Sequence, residues 1–429
     1  MGTCTDVNVV IPSTHDGKVV TGIYDSAFSN CASIISVEIP DSVKTIGYRA
    51  FVGCAALVKV IMPDTIKTVE NDAFLNCPVL AGVYISDLAE WCGIVFKNAG
   101  ANPLHCATNF YINGELAKDI VIPKSVSAIP SYTFYGCSTI KSVEIPDSVI
   151  NIADYAFYGC TSVTSIKISD SVVSIGKNVF ENCYSLTDLT IGKSVINIGD
   201  AAFKKCTGLK NLSIPEGVVN VGDEAFRGCS ALKSVKLSDT VTKLGNYVFA
   251  DCLSLQNVDF GNSVRDIGDY AFSNCTSLAS IAIPDTIRSI GRSIFTDCIA
   301  LASVTISDNI TSITSQMFYN CTSLVSITIP ESVTSIGENA FNGCALLIDI
   351  TIPDSVKSID SYAFRNCTSL SSIIIPDSVT TVGSWLFYGC NSSLTIYCEA
   401  TEKPSTWHNE WAYTGSYSTY TAVWGYTGE

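Results

Sequence analysis

A phenylalanine followed three residues later by a cysteine recurs along this chain at a step of 23 residues. The pairs run Phe28/Cys31, Phe51/Cys54 and Phe74/Cys77, then resume after an interruption at Phe134/Cys137. From there they step evenly to Phe387/Cys390, and the fifteen pairs use fifteen of the 18 Phe residues. A globular core scatters its aromatics. A fixed period of this length means stacked coils, each burying its apolar side against its neighbours. A chain of 429 residues can then remain one array, where a compact fold would usually split.

One unit, "TSLVSITIPESVTSIGENAFNGC", ends at Cys344. Leu324, Ile327 and Ile329 fall on the apolar side of "LVSITIP", an alternation that predicts a short strand with one buried face. The Pro that follows fixes φ, and the acid and Ser after it bond nearby amides, so the chain turns. "VTSIG" predicts a second short extended piece, with Gly where the backbone bends. "NAFNGC" is too short for a stable helix and predicts a turn or about one helical turn. Stacking pairs each strand in parallel with its copy, ~4.8 Å away. The Phe rings form one internal column, each contributing ~1.5–3 kcal/mol of transfer free energy, which chain entropy opposes.

Fifteen of the 19 cysteines belong to this ladder. Neighbours are about one coil apart, within disulfide range, but parallel inward-pointing side chains face the same way. They are expected to be small buried hydrophobes with free thiols. A single file of cysteines without histidines does not converge on a metal. Cys4, Cys92, Cys106 and Cys398 lie off the ladder, and Cys92 and Cys106 share one insert and can pair.

The net charge of −15, from 25 basic and 40 acidic residues, argues against nucleic acid and anionic membrane surfaces as partners. Only 15% of residues are charged, so Ser, Thr, Asn and Gly dominate the surface. No apolar run approaches the ~20 residues of a membrane-spanning helix. "MGTCTDVNVVIP" lacks the basic start and apolar stretch of a signal peptide; either the chain stays where it is made or a leader is missing.

The unit closely resembles the BspA-like leucine-rich repeat pattern "LTSITIPDSVTSIGDYAFYGCTS". Close versions are "VEIPDSVINIADYAFYGC" at 143–160 and "IAIPDTIRSIGRSIFTDC" at 281–298, and the resemblance covers essentially the whole chain. It implies a right-handed, curved leucine-rich repeat solenoid, with a parallel sheet on the concave face and short strands and turns opposite. It also implies a secreted or cell-surface protein engaged in adhesion or recognition, of a host matrix protein among other ligands.

The division is an irregular first repeat at 1–31, regular repeats at 32–87, an insert at 88–116, regular repeats at 117–390 and a C-terminal cap at 391–429. Within the insert, Asp87 before "LAEW" with Glu90 three residues on predicts a capped helix. Asn113-Gly114 between apolar flanks predicts a hairpin, and both are expected to bulge from the solenoid. Trp91, Phe96 and Tyr111 there serve packing or else a partner. Trp407, Trp411 and Trp424, in the last segment, are expected to cover the exposed end coil, with an aromatic ligand site as the alternative.

No catalytic constellation stands out. The three His residues, His15, His105 and His408, lie outside the repeat strands, and no metalloprotease, nucleophile-elbow, phosphate-loop or dinucleotide motif occurs. We expect no enzyme activity, cofactor or metal. Asp41, Asp64, Asp147, Asp170, Glu216, Asp239, Asp285, Asp308, Glu331, Asp354 and Asp377 form an acidic row after the Pro slot. The row is expected to cap turns and aid solubility, one carboxylate per coil being thin coordination for calcium.

The outward positions of the first strand form two rows, the first mostly Ser, the second mixing Thr with the departures Glu38, Ile61, Tyr84, Glu144, Lys167, Lys236, Asp259 and Ile374; the Ser and Thr are neutral filler. Charged, amide or large residues that break it are the recognition candidates: Lys59, Tyr84, Glu144, Lys167, Asn211, Lys236, Asn257 and Asp259. The expected function is a non-catalytic solenoid that recognises a protein or glycan through its concave face. The alternative is a structural spacer or building block of a surface layer, appendage or particle.

Overall fold

The structure is a computed structural model that describes residues 6–415 and 419–428. Cys4 lies outside the described residues. The chain forms two compact units, Met1–Leu209 and Lys210–Glu429. Each is a parallel β-solenoid with almost no helix.

Two strand ladders run through each unit. In the repeat that opens at Thr322, the first strand is Ser326–Thr328 and the second is Ser335–Ile336. Each pairs in parallel, and in equivalent register, with its copy one repeat on: Ile327 faces Ile350, and Ile336 faces Ile359. This is the alternation anticipated from "LVSITIP" and "VTSIG". A third ladder joins the cysteine-bearing turns, where Phe341 N donates to Ala363 O and Gly343 N to Arg365 O, both at 2.8 Å. The turn is not a helical turn. It reverses the chain through left-handed residues such as Asn339 (φ 57) and Gly343 (φ 81).

The Phe column is present in both units. Rings stack at 4.9–5.2 Å within the first, as at Phe134–Phe157 and Phe157–Phe180. They stack at 5.3–6.0 Å within the second, as at Phe318–Phe341 and Phe272–Phe295. The ladder cysteines from Cys54 onward are almost all buried, and Cys92 and Cys106 do not pair but are both free thiols.

Glycine in "xIG" has a different role from the expected bend. Gly268 has an ordinary φ, but a Cβ on it would sit 2.6 Å from Asn246 N and from Gly245 C, one coil back. Close approach of neighbouring coils excludes a side chain there.

The helix and hairpin of the interrupting segment both form. Leu88–Trp91 is helical, with the Asp87 carboxylate accepting from Ala89 N and Glu90 N. Glu90 does not return the bond to Asp87; it pairs with Lys67 at 2.9 Å. Asn113 (φ 52) and Gly114 (φ 82) turn the chain from Asn109–Ile112 into the antiparallel Glu115–Leu116. The segment does not simply bulge outward. Val95–Phe96 extends the second ladder beside Thr68–Val69, and Asn109–Ile112 extends the first beside Gly82–Ile85. The stack thus continues through two longer coils, ending at Cys106 and Cys137. Cys106 takes a ladder place after all, its Sγ 3.6 Å from Phe74 O.

Trp91 is 1% exposed and fills the core between Phe96 and Phe110, with ring centroids 5.1 and 5.2 Å away. Its Nε1 donates to Thr133 O at 3.0 Å. Trp91 and Phe96 therefore serve packing. Over the last coil, Trp407 and Trp411 are buried, and Trp407 Nε1 donates to Val379 O at 3.1 Å. Thr421–Trp424 adds a final parallel strand beside Thr395–Cys398. The first coil carries a small antiparallel hairpin, Thr14–His15 with Lys18–Val19, turned by left-handed Asp16 and Gly17. The Asp-Gly signal for it stood unread in the sequence.

Candidate functional site

Because the first strand alternates, its middle residue is buried and its flanks face outward. Register then aligns those flanks into the two anticipated rows. Asn211, Ser234 and Asn257 share one, and Ser213, Lys236 and Asp259 share the other. Of the eight candidate residues, four lie in each unit, and they form three separate groups and one lone amide.

In the first unit, Lys59 Nζ stands 4.6 Å above the Tyr84 ring, and Tyr84 stacks on Tyr111 at 4.4 Å with planes 4° apart. Gly82 lies beneath them. A Cβ there would meet the Tyr84 ring at 2.8 Å and the Tyr111 ring at 3.1 Å. Tyr111 thus belongs to the exposed face, unlike Trp91 and Phe96. The sequence pattern did not link Gly82 to the rings, although it stands in the row where Ser is the commonest residue.

Farther along this unit, Glu144 and Lys167 are in register and form an ion pair of 3.0 Å. Both side chains are more than half exposed, so the pair contributes little, ~0–1 kcal/mol. They border a 690 Å³ hollow with Lys124, Asp147 and Asp170.

In the second unit, the Asn211 amide oxygen accepts from Ser234 Oγ at 2.8 Å. Lys236, Asn257 and Asp259 meet at one polar hollow of 510 Å³, opened by the short side chains of Ser280, Ala282 and Ser303. One oxygen of Asp259 accepts from Gly261 N at 3.1 Å. Ile374, a departure that the sequence marked, is in register with Tyr397 and Val423, which it did not mark, and Tyr426 packs on Tyr397 at 4.6 Å.

Three members of the acidic row bind backbone in the next coil. Asp64 accepts from Asp87 N at 3.1 Å, Asp170 from Lys193 N at 2.9 Å and Asp239 from Asn262 N at 2.9 Å. Among the described residues no group of three His, Cys, Asp or Glu is placed to hold a metal ion. No helix among them is long and apolar enough to cross a membrane.

The chain is similar to solved bacterial repeat proteins. A leucine-rich repeat protein from Bacteroides ovatus is 26% identical, with a TM-score of 0.63 over 87% of this chain and 88% of that one. One from Eubacterium ventriosum is 22% identical, with a TM-score of 0.56 over 80% of this chain and 91% of that one, a likeness of fold. No curated protein matches the chain. The family model described as a BspA type leucine rich repeat region of six copies matches residues 7–100, 107–232, 196–322 and 288–406. The chain therefore belongs to the BspA-type leucine-rich repeat family.

Proposed function

We propose that this chain is a non-catalytic recognition module that takes a protein or glycan ligand on the exposed face of its first-strand sheet. The observation that carries this reading is the hollow at Lys236, Asn257 and Asp259. Elsewhere on the face, Glu144 and Lys167 pair with each other and Lys59 is taken up by the Tyr84 ring. Here a cation, a carboxylate and amides line one depression whose floor is kept low by small residues. Such a lining offers donors and acceptors to hydroxyl-rich sugars or to a polar protein loop. Placement at the cell surface or in the medium rests on family resemblance.

The test is a binding screen of the full chain against matrix proteins and glycans, run beside a Lys236→Ser/Asp259→Thr variant. The reading expects a ligand that the variant loses. Binding that survives the double substitution removes this site. No ligand at all, with self-assembly by light scattering, supports a structural building block instead.

A further inference from the structure

The sequence motif "YAFYGC" places tyrosines in the cysteine-bearing turns, away from the first-strand face. In the first unit four of them form a two-by-two array. Tyr132 stacks on Tyr155 at 5.3 Å and Tyr135 on Tyr158 at 4.7 Å. The stacks touch sideways, Tyr132–Tyr135 at 5.8 Å and Tyr155–Tyr158 at 5.9 Å. All four rings are half-buried, so each presents part of its surface to solvent. Tyr132 and Tyr155 are held at left-handed φ values of 66° and 61°, a conformation that bulky residues seldom adopt.

Other aromatic groups in equivalent turns carry their own cation. Tyr247 and Tyr270 stand five repeats after Tyr132 and Tyr155 and stack at 4.6 Å. Arg227 lies 5.2 Å over Tyr247, and Arg292 6.0 Å over Tyr270. Arg365 lies 5.6 Å over Tyr362 and 5.0 Å over Tyr388. Arg49 covers Tyr48 at 4.9 Å. Among the described residues no cation lies over a ring of the quartet. The charged groups that face it are carboxylates. Glu181 bears on Tyr135 and Tyr158, and Asp154 on Tyr132. The nearby Lys177 is engaged by Asp200 at 2.8 Å. At the other end stands the His105 ring, 5.5 Å from Tyr135, mostly neutral near pH 7.

We propose that Tyr132, Tyr135, Tyr155 and Tyr158 form a docking surface for an arginine-bearing segment of a partner polypeptide. Guanidinium groups complete the cation–π arrangement that the chain supplies for itself elsewhere, and Glu181 and Asp154 add a matching negative field. Tyrosines held by stacking lose little side-chain freedom on binding, which suits them to a contact surface. This surface is separate from the Lys236 hollow and does not depend on it.

The test titrates the full chain with a labelled peptide of repeated Arg-Gly-Gly units, at about 150 mM salt, beside versions carrying Lys or Gln for Arg. Arginine is expected to bind best and glutamine worst. Tyr135→Ser/Tyr158→Ser leaves the net charge unchanged and is expected to weaken binding about tenfold. Glu181→Gln, which leaves the rings in place, is expected to weaken it about threefold. Lys236→Ser/Asp259→Thr is expected to bind the peptide normally. Unchanged affinity in both the tyrosine and the Glu181 variants overturns the proposal, since the chain's overall negative charge then explains the attraction. So does equal binding of the glutamine peptide, or loss of binding in the Lys236/Asp259 variant.

Discussion

The Cys344 thiol donates to the Phe318 carbonyl oxygen, 3.2 Å away and one coil back. The same oxygen already accepts from Cys321 N at 3.1 Å, so the thiol uses its second lone pair. The bond recurs from Cys321 to Phe295 and from Cys367 to Phe341, each at 3.2 Å. Cysteine thus fills a small buried space and links one coil to the last. Cys344→Ala loses the bond and leaves a void, and is expected to cost about 1–2 kcal/mol. Cys344→Val overpacks the same space at a cost of about 1–3 kcal/mol. Urea unfolding midpoints of the variants check both.

Burial pushes the Cys183 and Cys298 thiols up from 9.0 to about 12. The folded state favours the neutral thiol, so this stability is complete below pH 9. It is lost as the pH rises from about 9 towards 12, because the unfolded chain releases protons that the folded chain keeps. Melting temperatures are expected to fall across that window, and less steeply in a Cys183→Ala/Cys298→Ala variant. A thiol reagent added at neutral pH is expected to leave both cysteines unmodified until the chain unfolds.

Gly268→Ala puts a methyl group 2.6 Å from the Asn246 amide nitrogen of the preceding coil. The clash is with backbone, which cannot swing aside, so a loss of about 1–3 kcal/mol is expected. If the glycine served only a bend, alanine would be accepted at this ordinary φ. Thermal unfolding of the variant separates the two.

Trp91 in the insert and Lys236 on a strand row are both partner candidates in the sequence, and their substitution separates core from face. Trp91→Ala removes a ring that is 1% exposed and its bond to Thr133 O, and is expected to cost about 3–5 kcal/mol. Lys236→Ser lies on the exposed face and is expected to stay within about 0.5 kcal/mol of the parent. Equal melting temperatures for the two variants would contradict the packing described for Trp91.

The regular coils were legible because period two and period 23 state which side chains share a face. Ser326–Thr328, the rings from Phe134 to Phe180 and the register of Lys236 with Asp259 all follow from spacing. The candidate site was only partly legible. Spacing marked Tyr84, Glu144 and Lys236 as departures. It did not say that Glu144 closes on Lys167, or that Lys236 and Asp259 border a hollow.

By itself the sequence determined a stack of parallel coils with an inward Phe and Cys column, since a strict repeat leaves each apolar face only its own copy to pack against. The tertiary structure decided where the period fails. It sent Trp91 inward while leaving Tyr111 outside, brought Cys106 into the ladder, pressed Gly268 against the coil before it, and gathered four tyrosines into one array. Each of these depends on distances of a few ångströms between neighbouring coils. Such distances arise from how irregular lengths of chain fit over one another, and no residue's own spacing records them.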